Sequence, residues 1–315
     1  MTLGHTHRDA RGWHGVFPAV TTQFHEGGAL DLDATARVID GLIRDGVHGL
    51  VLLGTVGENN SLTPEEKRAV LGAGVEAAAG RVPTIVGVSE FDGPRAQSFA
   101  KDAQKTGVSG LMALPPMVYM PHDEELFSHF EGLSAASDLP IMLYNNPAAY
   151  RMNISTDMIA RLAQIETIVA LKESSEDTRR FTDLYNALGD RLILFAGLDD
   201  VALEGLMLGA KGWISGLTNA FPQESVAIYE LAKRGDYARA LEIYRWFMPL
   251  LHLDFRSDLV QCIKLAEHVM GRGSERVRSP RQVLTGAIRA EVIARVEQAA
   301  ATRPDLDKLL NTKAA

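Results

Sequence analysis

A strict alternation restricts the fold of this chain more than any other feature. From Gly15 onward, short apolar runs bounded by glycine, proline or asparagine take turns with longer amphipathic stretches. The runs predict strands over 15–22, 49–54, 84–88, 110–114, 141–145, 168–172, 192–196 and 212–216. The stretches between them predict helices over 32–45, 64–79, 94–106, 123–136, 156–164, 177–188 and 199–208. Thr63, followed by Pro64 and by Glu66 three residues on, is a capping box, and Ser155 marks another helix start. Strict β-α repetition demands parallel strands covered by helices, and eight units is the number that closes into a (β/α)8 barrel. An open doubly wound sheet would want a glycine-rich phosphate turn after its first strand, whereas Thr21-Thr22-Gln23-Phe24 follows Val20 here. After the eighth strand the pattern is purely helical, over 222–234, 237–251, 257–270 and 280–300, with the linker Gly271-Arg272-Gly273-Ser274 inside it. The expected fold is therefore an α/β TIM barrel with additional C-terminal helices. Its parts are a flexible segment over 1–14, a barrel over 15–221 and a helical extension over 222–315 packed on the barrel or on a neighbouring subunit.

Composition narrows the functional classes. With 46% hydrophobic residues in 315, the chain can bury a large core, and its formal net charge of −8 leaves no basic footprint for nucleic acid or anionic membrane. No stretch approaches the roughly 20 apolar residues that span a bilayer. The polar start, Met1 to Trp13, resembles neither a signal peptide nor an anchor, so a cytoplasmic location is expected. His5 and His7 read as solvated rather than metal-binding. The single cysteine, Cys262, excludes an internal disulfide and a cysteine-rich metal site. Among Leu259, Val260 and Ile263 it reads as a small buried hydrophobe.

In a barrel of this kind, reactive groups sit at strand carboxyl ends and in the loops after them. Lys172 ends the apolar run Ile168-Val169-Ala170-Leu171 and is followed by Glu173-Ser174-Ser175. Burial there disfavours its ammonium form and prepares an amine that attacks a carbonyl to form a Schiff base. The alternative is a lysine that snorkels outward to pair with Glu173 or a loop carboxylate. Tyr144 ends strand five, one strand away, where a phenol can pass protons to and from a carbinolamine or an enamine carbon. Its alternative is a core aromatic. Gly54-Thr55-Val56-Gly57, after strand two, exposes backbone N–H groups to an anion such as a substrate carboxylate, or else merely turns the chain. Glu58 is expected to cap the next turn.

Together these segments resemble the dihydrodipicolinate synthase and N-acetylneuraminate lyase superfamily of class I, Schiff-base aldolases and lyases. The likeness runs from about Gly15 into the C-terminal helices and rests on the Gly-Thr-x-Gly-Glu, Tyr-Asn-x-Pro and Lys-Glu-Ser segments, in order. The resemblance implies that Lys172 is the Schiff-base lysine and Tyr144 the proton-transfer tyrosine. It implies that Thr55 orients that tyrosine and, with Gly54 and the Val56 backbone, binds the carboxylate of a 2-keto acid. Ile214, in the Trp-Ile-Ser-Gly strand end, resembles the residue whose main chain contacts substrate. Two departures are visible. Ala149 stands where members that make dihydrodipicolinate carry arginine, and Met117-Val118 precedes Tyr119 where they carry a tyrosine pair. Tyr119 is the candidate relay residue.

The segments 144–150, 172–177 and 244–254 look like the hydroxyproline-catabolism branch, which is similar to 1-pyrroline-4-hydroxy-2-carboxylate deaminases. The expected reaction releases ammonia and 2,5-dioxopentanoate through a Lys172 imine, with no metal and no organic cofactor. An aldolase or dehydratase of 2-keto-3-deoxy sugar acids is the alternative, and dihydrodipicolinate synthase ranks behind it. A non-catalytic 2-keto acid binding protein is the reading from a different class. The resemblance also implies a homotetramer.

Overall fold

The computed structural model describes residues 10, 12–116 and 119–311. Most of the segment expected to be flexible, and Met117 and Val118 of the fourth loop, lie outside the described residues. Eight strands and the helices between them follow in alternation: β1 (Gly15–Pro18), α1 (Leu32–Arg44), β2 (Leu50–Leu52), α2 (Pro64–Ala78), β3 (Thr84–Val88), α3 (Gly93–Thr106), β4 (Gly110–Ala113), α4 (Asp123–Ala136) and β5 (Ile141–Asn145). The second half continues with α5 (Pro147–Tyr150), α6 (Thr156–Leu162), β6 (Ile168–Glu173), α7 (Arg179–Leu188), β7 (Ile193–Ala196), α8 (Ala202–Met207) and β8 (Gly212–Ser215). Then come α9 (Pro222–Lys233), α10 (Tyr237–Leu251), α11 (Leu259–Val269), α12 (Gly286–Ala301) and α13 (Leu306–Asn311).

All strand pairs are parallel, and the order β1-β8-β7-β6-β5-β4-β3-β2 leaves one seam. That seam closes just past the end of β1, where Ala19 pairs with Val51 and the Val20 N–H donates to the Val51 carbonyl at 2.9 Å. The result is a (β/α)8 barrel with extra C-terminal helices, as expected. Both faces of every strand are covered, which is why the strands read as continuous apolar runs rather than alternating ones. α9 packs on β1 and α8 and completes the helical ring; α10 lies on α9, and α11 packs against α12. Among the described residues no helix is long and apolar enough to cross a membrane.

Helix starts follow their chemistry. Thr63 and Glu66 form the reciprocal capping box, and the Ser155 side chain accepts from the Met158 N–H. The departures from expectation are tertiary in origin. β1 stops at Pro18 rather than at residue 22, because Thr21 and Thr22 direct their hydroxyls to Glu267 and to the Gly57 carbonyl. The helix expected from Asp199 opens with a 3-10 turn, Asp199–Val201, since the Asp199 carboxylate accepts from Trp213 Nε1 and the Leu217 N–H, both at 2.9 Å. The helix expected from Pro280 begins only at Gly286, because Arg278 and Arg281 cross over to the second loop and hold the preceding chain extended against it.

Candidate active site

Strand alternation sorts the functional side chains. Tyr144 on β5 is the register partner of Lys172 on β6, and both point into the barrel mouth, while Asn145 and Glu173 are paired on the outer face. Glu173 accepts there from Asn145 Nδ2 at 3.0 Å, from Arg180 Nε at 3.0 Å and from the Ser175 N–H at 2.8 Å. Pairing of Lys172 with Glu173 is thereby excluded, because Glu173 faces the helices and not the lysine; the loop carboxylate near the amine is Asp254. Lys172 is 6% exposed, and its Nζ lies 4.0 Å from the centroid of the Tyr144 ring. Among the described residues no hydrogen-bond acceptor reaches that nitrogen. Burial lowers its pKa; Asp254, Tyr150 and Asp199 pull the other way.

A pocket opens beside the amine, lined by Gly54, Thr55, Val56, Tyr144, Tyr150, Lys172, Ile214 and Asp254, among others. Every residue expected to bind or react is brought together here except Tyr119. That side chain is 57% exposed, turns to Glu125 and does not line the pocket. The phenol that stands in the pocket is Tyr150, carried by the single turn of α5, which Asn146 caps by accepting from the Ala149 N–H at 2.9 Å. Tyr150 OH lies 2.6 Å from Thr55 Oγ1, and its ring meets the Tyr144 ring edge-on at 5.6 Å. Thr55 therefore reaches Tyr144 through Tyr150 rather than directly. Burial pushes the Tyr144 phenol up to about 12, against a hydrogen bond from Asn146 Nδ2 at 3.0 Å, and raises Tyr150 as well. Both phenols stay protonated at neutral pH, Tyr150 hydrogen-bonded to Thr55 and Tyr144 to Asn146, with their rings in contact.

The turn after β2 is held under strain. Leu53 (φ 54°) and Glu58 (φ 55°) are both left-handed, a conformation that costs a non-glycine residue about 1 kcal/mol or more. Between them the N–H groups of Thr55 and Val56 find no acceptor among the described residues, leaving two donors for an incoming carboxylate. Glu58 does not cap the following turn with its side chain, as was expected. Its buried carboxylate instead accepts from Lys264 Nζ at 3.0 Å and from the Arg278 N–H at 2.9 Å, strapping the turn to α11 and to the segment before α12. Helix starts and strand ends are visible in sequence; a carboxylate that reaches 206 positions along the chain is not.

Asp254 was not anticipated as a pocket residue. It sits in the 3-10 turn His252–Phe255, which follows α10 and folds over the mouth between β7 and β8. Burial pushes its carboxyl up to about 6, against the opposing pull of Lys172, and Asp199 behind it is raised well above the ordinary carboxylate range by burial and by Asp254. In the sequence Asp254 is only the last residue of the run 244–254, with no spacing to tie it to Lys172.

Residues 13–299 match the Dihydrodipicolinate synthetase family. The chain belongs to that family. A 4-hydroxy-tetrahydrodipicolinate synthase of Phenylobacterium zucineum is 32% identical over 91% of this chain and 97% of its own length. The dihydrodipicolinate synthase of Aquifex aeolicus superposes with a TM-score of 0.86 at 29% identity, covering 92% of this chain and 97% of that one. YagE, a prophage protein of the dihydrodipicolinic acid synthase family from E. coli K12 solved in complex with pyruvate, superposes with a TM-score of 0.87 at 27% identity over 91% of this chain and 99% of its own. Membership of the dihydrodipicolinate synthetase family covers the barrel and most of the C-terminal helices. It leaves the substrate to be argued from the pocket.

Proposed function

We propose that this protein is a Schiff-base enzyme acting on a small 2-keto or cyclic imino acid with one carboxylate, and that it deaminates 1-pyrroline-4-hydroxy-2-carboxylate to 2,5-dioxopentanoate and ammonia. The observation that carries this reading is the charge of the pocket: among the described residues Lys172 is its only cationic lining residue, and Asp254 lines it too. Ala149, also in the lining, supplies no cation for a second carboxylate.

In this reading the substrate carboxylate accepts from the Thr55 and Val56 N–H groups, which places C2 at Lys172 Nζ. The free amine adds to C2 and displaces the ring nitrogen, which stays attached at C5 as an amine. Tyr144 donates and retrieves the protons of that exchange, with Tyr150 and Thr55 as its path toward solvent. The protonated imine then draws electrons from C3. Loss of the C3 proton and of the 4-hydroxyl as water leaves an unsaturated C3–C4 bond, which rearranges into an imine at C5. Water hydrolyses that imine to an aldehyde and ammonia, and a second water releases the keto acid from Lys172. The net reaction consumes one water and changes no oxidation state overall.

The names of several relatives favour a second reading, formation of 4-hydroxy-tetrahydrodipicolinate. That product carries two carboxylates; the pocket itself offers Lys172 alone among its described lining residues, and the next cation, Arg281, lines the adjoining cavity behind Thr55 and Tyr150. Cleavage or dehydration of a 2-keto-3-deoxy sugar acid keeps the same lysine chemistry. One set of assays separates the three: ammonia from the pyrroline, pyruvate from a keto-deoxy acid, and formation of the dicarboxylate. A flat ammonia trace beside turnover in either of the others removes the deaminase reading. Binding without turnover, unaffected by Lys172→Ala, would instead favour the 2-keto acid binding protein. The homotetramer implied by family resemblance is checked by sedimentation.

A further inference from the structure

The geometry points to Asp254 as the acid–base residue that takes the proton from the carbon next to the Lys172 imine. This inference rests on the Schiff-base reading above and adds a residue to it. Four observations carry it. Among the described residues Asp254 is the only carboxylate lining the pocket that holds Lys172, Tyr144 and the Thr55 turn. A Cβ on Gly216 would run into the Ile263 side chain and stand 2.7 Å from the Asp254 Oδ1, so the bare end of β8 makes room for both. Gly197, just after β7, likewise makes room for Ser174 and for the lysine: a Cβ there would run into the Ser174 hydroxyl and stand 2.8 Å from Lys172 Cε. Finally, Tyr144 is a poor candidate for the base, because its phenol is held protonated by burial and its ring face, rather than its oxygen, is turned to the amine.

The groups that face Asp254 set its ionisation. Lys172 on β6 favours the anion and Asp200, after β7, opposes it; Asp199, in the same turn as Asp200, offers its backbone N–H to the carboxylate. Tyr144 on β5 and Asp199 both sense the Asp254 charge in return. With burial dominant, the group changes state near neutrality, where one residue can serve as base and then as acid. The carboxylate takes the C3 proton, and the C–H pair becomes the C2=C3 bond of an enamine on Lys172. The pair then moves to C3–C4 as the C4–O bond breaks, and Asp254 returns the proton to the departing oxygen, which leaves as water. No oxidant or other co-reactant is needed.

The test uses pyruvate in deuterated water, which reads removal of a proton next to the imine whether or not the pyrroline is the substrate. Borohydride trapping measures the adduct, and methyl deuteration, with the enzyme saturated by pyruvate, measures the proton step. Asp254→Asn should lower deuteration by about 100-fold while the trapped adduct forms as in the wild type. It should also remove the rise in rate with pH near 6. Asp254→Glu, which keeps the carboxylate, should restore part of the rate and the pH limb, and circular dichroism of both variants checks folding. Deuteration within a few-fold of wild type in Asp254→Asn overturns the proposal, and so does loss of the adduct itself. If Tyr144→Phe loses deuteration and Asp254→Asn does not, the phenol is the base. Wild-type deuteration without ammonia release from the pyrroline would remove the deaminase reading and leave Asp254 standing.

Discussion

Three lysines are buried among the described residues, Lys67, which is paired with Glu90 at 2.6 Å, Lys172 and Lys264, and the surroundings of the last two give them opposite tasks. Lys264, on α11, is wholly inaccessible, with its Nζ over the Phe24 ring at 4.5 Å, donating to the Thr22 carbonyl at 2.8 Å and to Glu58 at 3.0 Å. Lys172 lies over the Tyr144 ring at 4.0 Å and has an aspartate nearby, with no acceptor in reach among the described residues. Burial lowers the pKa of both. The difference lies in what offsets the desolvation. A hydrogen-bonded carboxylate and carbonyl fix Lys264 as a structural cation, whereas Lys172 keeps its donors for a ligand. A buried amine is reactive where the fold withholds its partners, and the same fold supplies them in full at Lys264.

The comparison breaks most visibly on Lys172→Ala. Deleting the nucleophile should abolish borohydride trapping and lower turnover by on the order of 10⁴-fold or more, with the melting temperature held or raised, since a desolvated cation without hydrogen bonds is removed. A melting temperature that falls by ten degrees would give Lys172 a structural role. Lys264→Met reverses the pattern. It deprives the buried Glu58 of its closest cation, leaving only the Arg278 N–H and the more distant Arg281, at a cost of about 3 kcal/mol, seen in thermal melting. Because Glu58 straps the Thr55–Val56 turn, the Michaelis constant for the keto or imino acid should rise as well. A stable Lys264→Met protein with unchanged kinetics would show that the strap is dispensable.

How much of this was legible in the sequence follows from the range of the interactions. Strands β3 and β5 and helices α4 and α10 have the ends that their residues foretell, because apolar runs, caps and prolines act within a few positions. Tyr144 and Lys172 were legible for the same reason: strand ends are local, and parallel neighbours bring them together. Tyr150 was not, since the Asn145-Asn146-Pro147 turn gives no sign that one helical turn follows and delivers a second phenol to Thr55. Asp254 and the Glu58–Lys264 pair join residues far apart in the chain, whose partners only the closed barrel reveals. Arg278 and Arg281 likewise override helix propensity after Pro280 by pairing across the chain.

The relay sharpens the contrast at a smaller scale. Tyr150→Phe removes the hydroxyl bonded to Thr55 and keeps the ring against the Tyr144 ring. Turnover should fall by roughly 10- to 100-fold with little change in the Michaelis constant, read by steady-state kinetics. Thr55→Val should fall in step with it, and the double variant should lose little more than either alone, as expected of residues in one chain. Additive losses would mean that Thr55 acts on the carboxylate and not through Tyr150.

The smallest expected effect concerns Glu267, which borders the Lys264 cluster and accepts from Thr21 Oγ1 at 2.8 Å. Burial pushes its carboxyl from 4.5 up to about 7, against Thr21 and Lys264. A carboxyl raised in the folded state binds more protons folded than unfolded between those two values, so the contribution of Glu267 to stability falls as pH rises from about 4.5 to about 7 and levels off above. Glu267→Gln removes the ionisation and keeps the size. It should flatten that decline and raise the melting temperature at pH 8 by a few degrees, corresponding to on the order of 1 kcal/mol, with little gain at pH 4.5. A wild-type protein that gains stability across the same window would mean that Lys264 is shared between Glu58 and Glu267 as a three-membered ion cluster. The tidy contrast between one fully paired lysine and one unpaired lysine would then have to be redrawn around the carboxylates.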